Sequence, residues 1–148
     1  MNLINKTILI TGASDGIGEV LALEFSKLGS NIVLLGRDPE KLDEVYDRLD
    51  HSFNSQKHLI LQADLNLLNN ESAHEILRAI TEEFTCLDAI IHNAAILGTM
   101  TILEDYELSK WDEVLNINLR APFLLTKTLK SILEDSTMPR IIFTSSGV

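Results

Sequence analysis

Short apolar runs alternate along the chain with longer segments in which apolar residues recur at helical spacing. The runs are rich in Ile, Leu and Val, and their near-continuous hydrophobicity is typical of parallel strands that are buried on both faces. Five strands are predicted in this way, at Lys6–Ile10, Asn31–Leu35, His58–Gln62, Leu87–His92 and Ile141–Thr144.

The segments between these runs predict helices with one apolar face. The longest predicted helix runs from Ser109 to Leu133, between the fourth and fifth strands. The apolar faces predicted for the three earlier helices are Ile17, Val20, Leu21, Phe25 and Leu28, then Leu42, Val45, Tyr46 and Leu49, then Ala73, Ile76, Leu77, Ile80 and Phe84.

Alternating strands and helices with right-handed crossovers form a parallel sheet that is covered by helices on both faces. The predicted fold class is therefore α/β, a doubly wound parallel sheet of the Rossmann type in a single domain over residues 1–148. The expected strand order is 3-2-1-4-5. In such a sheet a ligand binds at the carboxyl ends of strands 1 and 4, where the strand order reverses.

A glycine-rich turn, Thr11–Gly18, joins the first predicted strand to the first predicted helix. Unpaired N–H groups and the macrodipole at the start of a helix favour an anion, and glycines let a pyrophosphate approach the backbone. Gly12, Gly16 and Gly18 would also suit a plain turn. Their position between a strand and a helix favours a nucleotide-binding loop.

The spacing Thr-Gly-x-x-x-Gly-x-Gly resembles the cofactor loop of the short-chain dehydrogenase/reductase family, and differs from the commoner Gly-x-Gly-x-x-Gly fingerprint. The resemblance covers the whole chain and stops before the last strands of the family. It implies an NAD(P)-dependent oxidoreductase that transfers a hydride between NADP(H) and a carbonyl or alcohol substrate. In this loop it implies cofactor contacts for Gly12, Ser14, Asp15, Gly16, Ile17 and Gly18.

Gly36 and Arg37 follow the second strand, where an acidic residue would bind a ribose 2′-hydroxyl and an arginine suits a 2′-phosphate. Members of the family that prefer NAD usually have Asp at the position of Gly36. The resemblance therefore implies NADP as the cofactor, with NAD less favoured. Arg37 could also be a solvated turn residue, and the carboxylates of Asp15 and Asp38 would oppose a 2′-phosphate.

Asp64 and Leu65 follow the third strand. In the family, the matching Asp hydrogen-bonds the edge of the adenine and the backbone of the next residue packs beside it. From the residues alone, Asp64 is also a good candidate for a cap where the chain approaches the next helix, because Asp is a favoured capping residue.

The segment that ends the fourth strand, His92 to Ala95, resembles the Asn-Asn-Ala-Gly of the family. The resemblance implies that Asn93 ties neighbouring strands together and that the backbone of Ala94 and Ala95 lies along the cofactor ribose. His92 and Ala95 depart from the family pattern. We interpret His92 as a structural residue.

Two polar residues match catalytic positions of the family. The resemblance implies that Asn118 interrupts the long helix and helps to relay a proton, although from the residues alone it could simply bend the helix upstream of Pro122. Ser146 follows the fifth strand, and the resemblance implies a hydrogen bond from its hydroxyl to the substrate carbonyl. Ser-Ser-Gly is also typical of an ordinary loop.

The general acid of the family is a Tyr that comes after this serine, with a Lys one helical turn further on. The sequence ends at Val148, before that point, and we interpret Tyr106 and Lys110 as a chance match because they precede Asn118. The 148-residue chain alone is therefore expected to be inactive. The alternative is a non-catalytic dinucleotide-binding protein. A third hypothesis, an α/β interaction module, leaves the ordered motifs unexplained.

Charge and composition narrow the choice of partners. The net charge of −10 disfavours nucleic acid and anionic membranes. The apolar runs are too short to span a bilayer and the N-terminus lacks the pattern of a signal peptide, which predicts a cytoplasmic protein. Cys86 is the single cysteine and is interpreted as a small core residue at the start of the fourth strand. With no metal-like spacing of histidines, no metal site is expected.

The predicted long helix has more apolar residues than one face of a sheet needs. Members of the family usually pair such helices across a two-fold axis, which is an isologous contact. The resemblance thus implies a homodimer or homotetramer. The residues that suggest this contact are Trp111, Leu115, Leu119, Phe123 and Leu124.

Overall fold

The computed structural model describes residues 3–145, which form a five-stranded parallel sheet with helices on both faces. The strand order is β3-β2-β1-β4-β5 and every neighbouring pair is parallel. The predicted fold class and strand order are therefore confirmed. The strands are β1 Thr7–Thr11, β2 Asn31–Gly36, β3 His58–Gln62, β4 Ala89–His92 and β5 Arg140–Phe143.

The helices alternate with the strands, and their starts follow the sequence signals for helix capping. Asp38 caps the second helix, and Asn69 and Ser72 form a reciprocal capping box at the third. The helices are α1 Gly16–Lys27, α2 Pro39–Tyr46, α3 Asn70–Glu83, α4 Leu108–Leu115, α5 Ala121–Thr128 and α6 Lys130–Glu134.

Two hydrophobic layers lie on opposite faces of the sheet, because successive side chains of a strand point to opposite sides. Leu9, Val33 and Ile90 pack on the face covered by α3, α5 and α6. Ile8 and Ile32 pack on the other face, against α1 and α2. All the residues of β1 and β2 are buried, which is why these strands read as continuous apolar runs.

The predicted apolar face of α1 is only partly correct, because Leu21 and Phe25 pack against the core but the other three predicted residues do not. Ile17, Val20 and Leu28 are exposed, whereas the side of the helix nearest the sheet consists of small residues. Small residues allow the backbone of α1 to approach the sheet closely, so the larger apolar side chains fall at the edges of the contact or in solvent. The buried positions of α1 are Gly18, Ala22 and Ser26.

The single long helix predicted from Ser109 to Leu133 is interrupted twice. A π-helical turn, Asn116–Arg120, separates α4 from α5, and Leu129 separates α5 from α6. Leu124 belongs to the core, so it does not share the exposed surface predicted for it. Tyr106 precedes α4 and ends a short 3₁₀ turn, so it does not open the helix.

The last two strands, β4 and β5, differ from the prediction in their bounds. β4 begins at Ala89, two residues later than predicted, and Cys86 is half-buried in the preceding loop. All four residues of β5 are exposed, and this strand pairs with β4 at the edge of the sheet. In the described part of the chain, no helix is both long and apolar enough to cross a membrane.

Candidate functional site

A groove with a volume of about 360 Å³ opens where the strands of the sheet end. In the sheet, β1 lies between β2 and β4. The chain places β2 and β3 on one side of β1 and then β4 and β5 on the other, so the order in which strands are added reverses at this point. Open α/β sheets bind their ligands at this kind of crevice. The lining residues are Gly12, Ser14, Asp15, Gly36, Arg37, Asp38, Lys41, Ala63, Asp64, Leu65, Asn93, Ala94, Ala95, Ile96 and Ile117.

The glycine-rich turn is packed so closely that two of its glycines cannot be replaced without movement. A Cβ atom on Gly18 would lie 2.1 Å from the carbonyl oxygen of Gly12. At Gly12, where φ is +64°, a Cβ atom would lie 2.9 Å from the Cα of Ala94. These contacts bring the start of α1, the end of β1 and the end of β4 together around one side of the groove.

The start of α1 is capped by the carboxylate of Asp15. Its Oδ1 accepts a hydrogen bond from the backbone N–H of Gly16 at 2.7 Å, and its Oδ2 lies 3.3 Å from the Nζ of Lys41. The hydrogen bond from Lys41 and that from Gly16 lower the pKa of Asp15 below its ordinary value. Asp15 is therefore ionised at neutral pH, with a cation from α2 beside it.

Arg37 lies at the mouth of the groove, directly after β2. It is exposed, and within residues 3–145 its guanidinium forms no ion pair. The side-chain amide of Gln62, at the end of β3, donates a hydrogen bond to the Arg37 carbonyl at 3.3 Å. Asp38 turns its carboxylate toward the N–H of Lys41 as the cap of α2. Arg37 is thus the unpaired cation on this side of the groove.

Thr11, Asn93 and Ala94 hold the end of β4 against the glycine-rich turn. The hydroxyl of Thr11 accepts hydrogen bonds from the N–H groups of Asn93 and Ala94, each at 3.0 Å. The side-chain amide of Asn93 donates to the Gly12 carbonyl at 3.3 Å, and its oxygen accepts from the Thr144 hydroxyl at 3.4 Å. Asn93 thereby links the residues that follow β1, β4 and β5.

Asp64 and Leu65 line the groove after β3. The carboxylate of Asp64 accepts a hydrogen bond from the N–H of Asn66 at 2.9 Å, within a turn. The cap of the next helix is Asn69, so Asp64 does not cap a helix. Its side chain instead fixes the turn that brings Leu65 to the wall of the groove.

Asn118 lies in the π-helical turn and contacts the loop that follows β4. Its amide nitrogen donates to the Ile96 carbonyl at 2.8 Å, and its oxygen accepts from the Ile96 N–H at 2.9 Å. Ile96 itself lines the groove. Asn118 therefore acts on the groove by fixing the backbone of its wall.

The structure brings most of the predicted cofactor residues to one groove, with several exceptions. Gly16, Ile17 and Gly18 are not in the lining, and the side chain of Ile17 is exposed. Ser146 lies outside the described residues. Within residues 3–145 no cluster of three or more side chains could hold a metal ion. Gly36 and Asp38, which the sequence placed beside Arg37, also line the groove, as does Ile96. The lining residues that sequence reasoning missed are Lys41, Ala63 and Ile117.

Residues 6–148 match the family described as short chain dehydrogenase. The chain belongs to the short chain dehydrogenase family. It is 33% identical over 144 residues to the uncharacterized oxidoreductase YciK of Escherichia coli K12, a match that covers 97% of this chain and 57% of YciK. It is 28% identical over 138 residues to the short chain dehydrogenase/reductase dpmpG of Macrophomina phaseolina, covering 93% of this chain and 77% of dpmpG. The chain thus spans little more than half the length of YciK.

Solved structures of short chain dehydrogenases share the fold of this chain. One, from Escherichia coli CFT073 and complexed with NADPH, has a TM-score of 0.90 at 33% identity, and the match covers 98% of this chain and 60% of that one. Another, from Shigella flexneri 2a and complexed with NADP, has a TM-score of 0.90 at 33% identity, covering 98% and 61%. This chain therefore has the dinucleotide-binding fold of an oxidoreductase family.

The residues of this groove fit a phosphorylated dinucleotide. Small residues, Gly12, Ala94 and Ala95, leave the backbone accessible on one side, and the start of α1 adds the positive end of a helix dipole. Across the groove, Arg37 and Lys41 supply two cations. A guanidinium with no partner in the described part of the chain is the donor that a phosphate requires.

Proposed function

We propose that this chain binds NADP(H) in the groove for an oxidoreductase reaction that interconverts a carbonyl and an alcohol. The observation that supports this most directly is Arg37, an exposed guanidinium without an ion pair in residues 3–145, beside a glycine-rich turn at the switch point of the sheet. Membership of the short chain dehydrogenase family and solved relatives complexed with NADPH and NADP support the same conclusion.

In this proposal each part of the groove holds one part of the cofactor. The start of α1 attracts the pyrophosphate, and Arg37 binds the 2′-phosphate. Asp64 and Leu65 contact the adenine, and the backbone of Ala94 and Ala95 lies along a ribose. The net charge of −10 disfavours anions over most of the surface, so Arg37 provides the local attraction.

Bound NADPH would supply the hydride that reduces a substrate carbonyl. Asn118 keeps the loop after β4 in place through its two hydrogen bonds with Ile96. We propose that the Ser146 hydroxyl orients the substrate carbonyl. Since the general acid of the family comes later in its sequence, we expect the 148-residue polypeptide to bind NADPH without reducing aldehydes or ketones. Consumption of NADPH that disappears in Tyr106→Phe would contradict this expectation.

Calorimetric titration of the 148-residue polypeptide with NADPH and NADH tests the proposed cofactor. Because a hydrogen bond to a charged group contributes about 1.5–3 kcal/mol, Arg37→Ala should weaken NADPH binding by that amount and leave NADH nearly unchanged. Arg78→Ala, which removes the same charge from the exposed surface of α3, is the matched control. Equal losses for both nucleotides would show that Arg37 does not read the phosphate.

A further inference from the structure

An ion pair joins the two sides of the groove entrance, from the glycine-rich turn to the first turn of α2. Asp15 Oδ2 and Lys41 Nζ lie 3.3 Å apart, although the two residues are 26 positions apart in the chain. Both side chains line the groove, next to Arg37. The pair therefore places an ammonium next to Arg37 and ties it to a carboxylate on the glycine-rich turn.

We propose that Lys41 is a second residue that selects a 2′-phosphate, and that Asp15 restrains it until the phosphate binds. This inference rests on the proposed function of the groove. Lys41 is on α2, one helical turn after the residues that follow β2, so it approaches the same region as Arg37 from the helix. The carboxylate of Asp15 would oppose a 2′-phosphate, and Lys41 compensates for that charge.

The ion pair is weak enough to be opened by a ligand. Side-chain exposure is 52% for Lys41 and 77% for Asp15, so solvent screens the attraction between them. A phosphate dianion carries more charge than a carboxylate and competes for the ammonium. Lys41 also has a flexible stem, so its Nζ can turn from Asp15 toward the phosphate while the backbone of α2 stays fixed.

The two carboxylate oxygens of Asp15 have different partners, so its role as a helix cap can be tested apart from its ion pair with Lys41. Its Oδ1 caps the helix through Gly16, and its Oδ2 contacts Lys41. Asn is as good a capping residue as Asp, so Asp15→Asn keeps the cap and removes the charge. This substitution therefore tests the restraint on Lys41 while the start of α1 keeps its cap.

The test is a calorimetric cycle on the 148-residue polypeptide with NADPH and NADH as probes. We expect Lys41→Met to weaken NADPH binding about fivefold, the upper range for an exposed charge contact, and to change NADH binding less than twofold. Lys57→Met is the matched control, because Lys57 is an exposed lysine 3.4 Å from Glu83 and lies outside the groove. Circular dichroism of each variant checks that the fold is retained.

The second half of the cycle tests the restraint by Asp15. Asp15→Asn should tighten NADPH binding, and the gain should be larger with Lys41 present than in the Lys41→Met background. Equal gains in the two backgrounds would overturn the restraint. Equal effects of Lys41→Met on NADPH and NADH would overturn the selective role of Lys41. Failure of the unaltered polypeptide to bind either nucleotide would instead reject the proposed function.

Discussion

His92 stands at the end of β4, where the family pattern has Asn, and its surroundings fix its charge state. The side chain is 4% exposed, its ring stacks on Phe143 with centroids 4.8 Å apart, and its Nε2 lies 2.9 Å from the Thr126 hydroxyl. Nδ1 has no hydrogen-bond partner in the described part of the chain. Burial lowers the pKa of His92 from 6.5 to about 4, so the imidazole is neutral at physiological pH. These contacts support our interpretation of His92 as structural.

The depressed pKa of His92 makes the folded state sensitive to acid. Below its ordinary pKa of 6.5 the imidazole takes up a proton in the unfolded chain, while in the folded chain it stays neutral until about pH 4. The contribution of neutral His92 to stability is therefore fully present above pH 6.5 and is lost as the pH falls toward 4, by up to about 3 kcal/mol. Urea denaturation at a series of pH values measures this loss.

The control for this prediction separates His92 from the other groups that titrate in acid. His92→Phe should make the dependence of the unfolding free energy on pH between 6.5 and 4 less steep without abolishing it, because burial also lowers the pKa of His58. His74→Gln, at an exposed position of α3, should leave it unchanged. The prediction is wrong if wild type and His92→Phe lose the same free energy over this range.

Of the two cations in the groove, Arg37 could be predicted from the sequence as a site residue and Lys41 could not. Arg37 directly follows a buried strand, and the carboxyl ends of parallel strands meet at one edge of the sheet, so its place was predictable. Lys41 reaches the groove only because α2 begins at Pro39 and points its first turn toward Asp15. That contact joins residues 26 positions apart and depends on the packing of two helices, which no local pattern encodes.

At the scale of elements, the strands and the apolar faces of α2 and α3 were predicted, whereas the face of α1 was predicted only in part. β1 and β2 are buried on both sides, so their composition alone identifies them. Three of the five residues predicted for the apolar face of α1 are exposed, because hydrophobicity does not record how closely a helix approaches the sheet. The signal that would have found it is the repeat of small residues every four positions, at Gly18, Ala22 and Ser26.

Asn118 lies in the π-helical turn between α4 and α5, and its side chain is hydrogen-bonded to both the backbone N–H and the backbone carbonyl of Ile96. We expect Asn118→Ala to leave the N–H of Ile96 without its acceptor and to lower stability by about 1–2 kcal/mol, the contribution of two partly solvated hydrogen bonds. Hydrogen exchange of the Ile96 amide should become faster. The sequence indicated an irregularity at Asn118, but the partner depends on a loop whose path it does not specify.

Asn116 provides the matched control for this prediction, because it lies in the same π-helical turn and hydrogen-bonds elsewhere. Its amide donates to the side chain of Asn66 at 3.2 Å. Asn116→Ala should therefore leave exchange of the Ile96 amide unchanged. Equal protection of that amide in wild type and Asn118→Ala would contradict the role that we assign to Asn118.

At the scale of the whole molecule, an exposed apolar surface runs along α4, the π-helical turn and α5. It consists of Trp111, Leu115, Leu119 and Phe123, whose exposure ranges from 38% at Leu115 to 66% at Phe123. Residues four apart lie on one side of a helix, so these side chains form a stripe that points away from the core. We propose that this stripe forms an isologous contact between two copies of the chain, in a homodimer or a homotetramer.

Substitution within the stripe tests the proposed dimer. Leu119→Glu should shift the molecular mass measured by light scattering at micromolar concentration from dimer to monomer, because a charge in an apolar contact is costly to desolvate. Leu67→Glu is the control, since Leu67 is 71% exposed and lies away from the stripe, in the loop before α3. A monomeric mass for the wild-type protein would contradict the proposed dimer.

The two sides of the groove differ in how much freedom they retain before a nucleotide arrives. The side formed by the ends of β1 and β4 is held by hydrogen bonds in which the side chains of Thr11 and Asn118 accept and that of Asn93 donates. The opposite side carries two long exposed side chains: Arg37, which has no ion pair within residues 3–145, and Lys41, which is held only by a solvent-exposed ion pair with Asp15. Ordering them costs conformational entropy that the rigid side has already lost during folding. The entropic cost of binding therefore falls mainly on the two residues that we propose distinguish NADPH from NADH. Substitutions that change this selectivity should mainly change the entropy of binding.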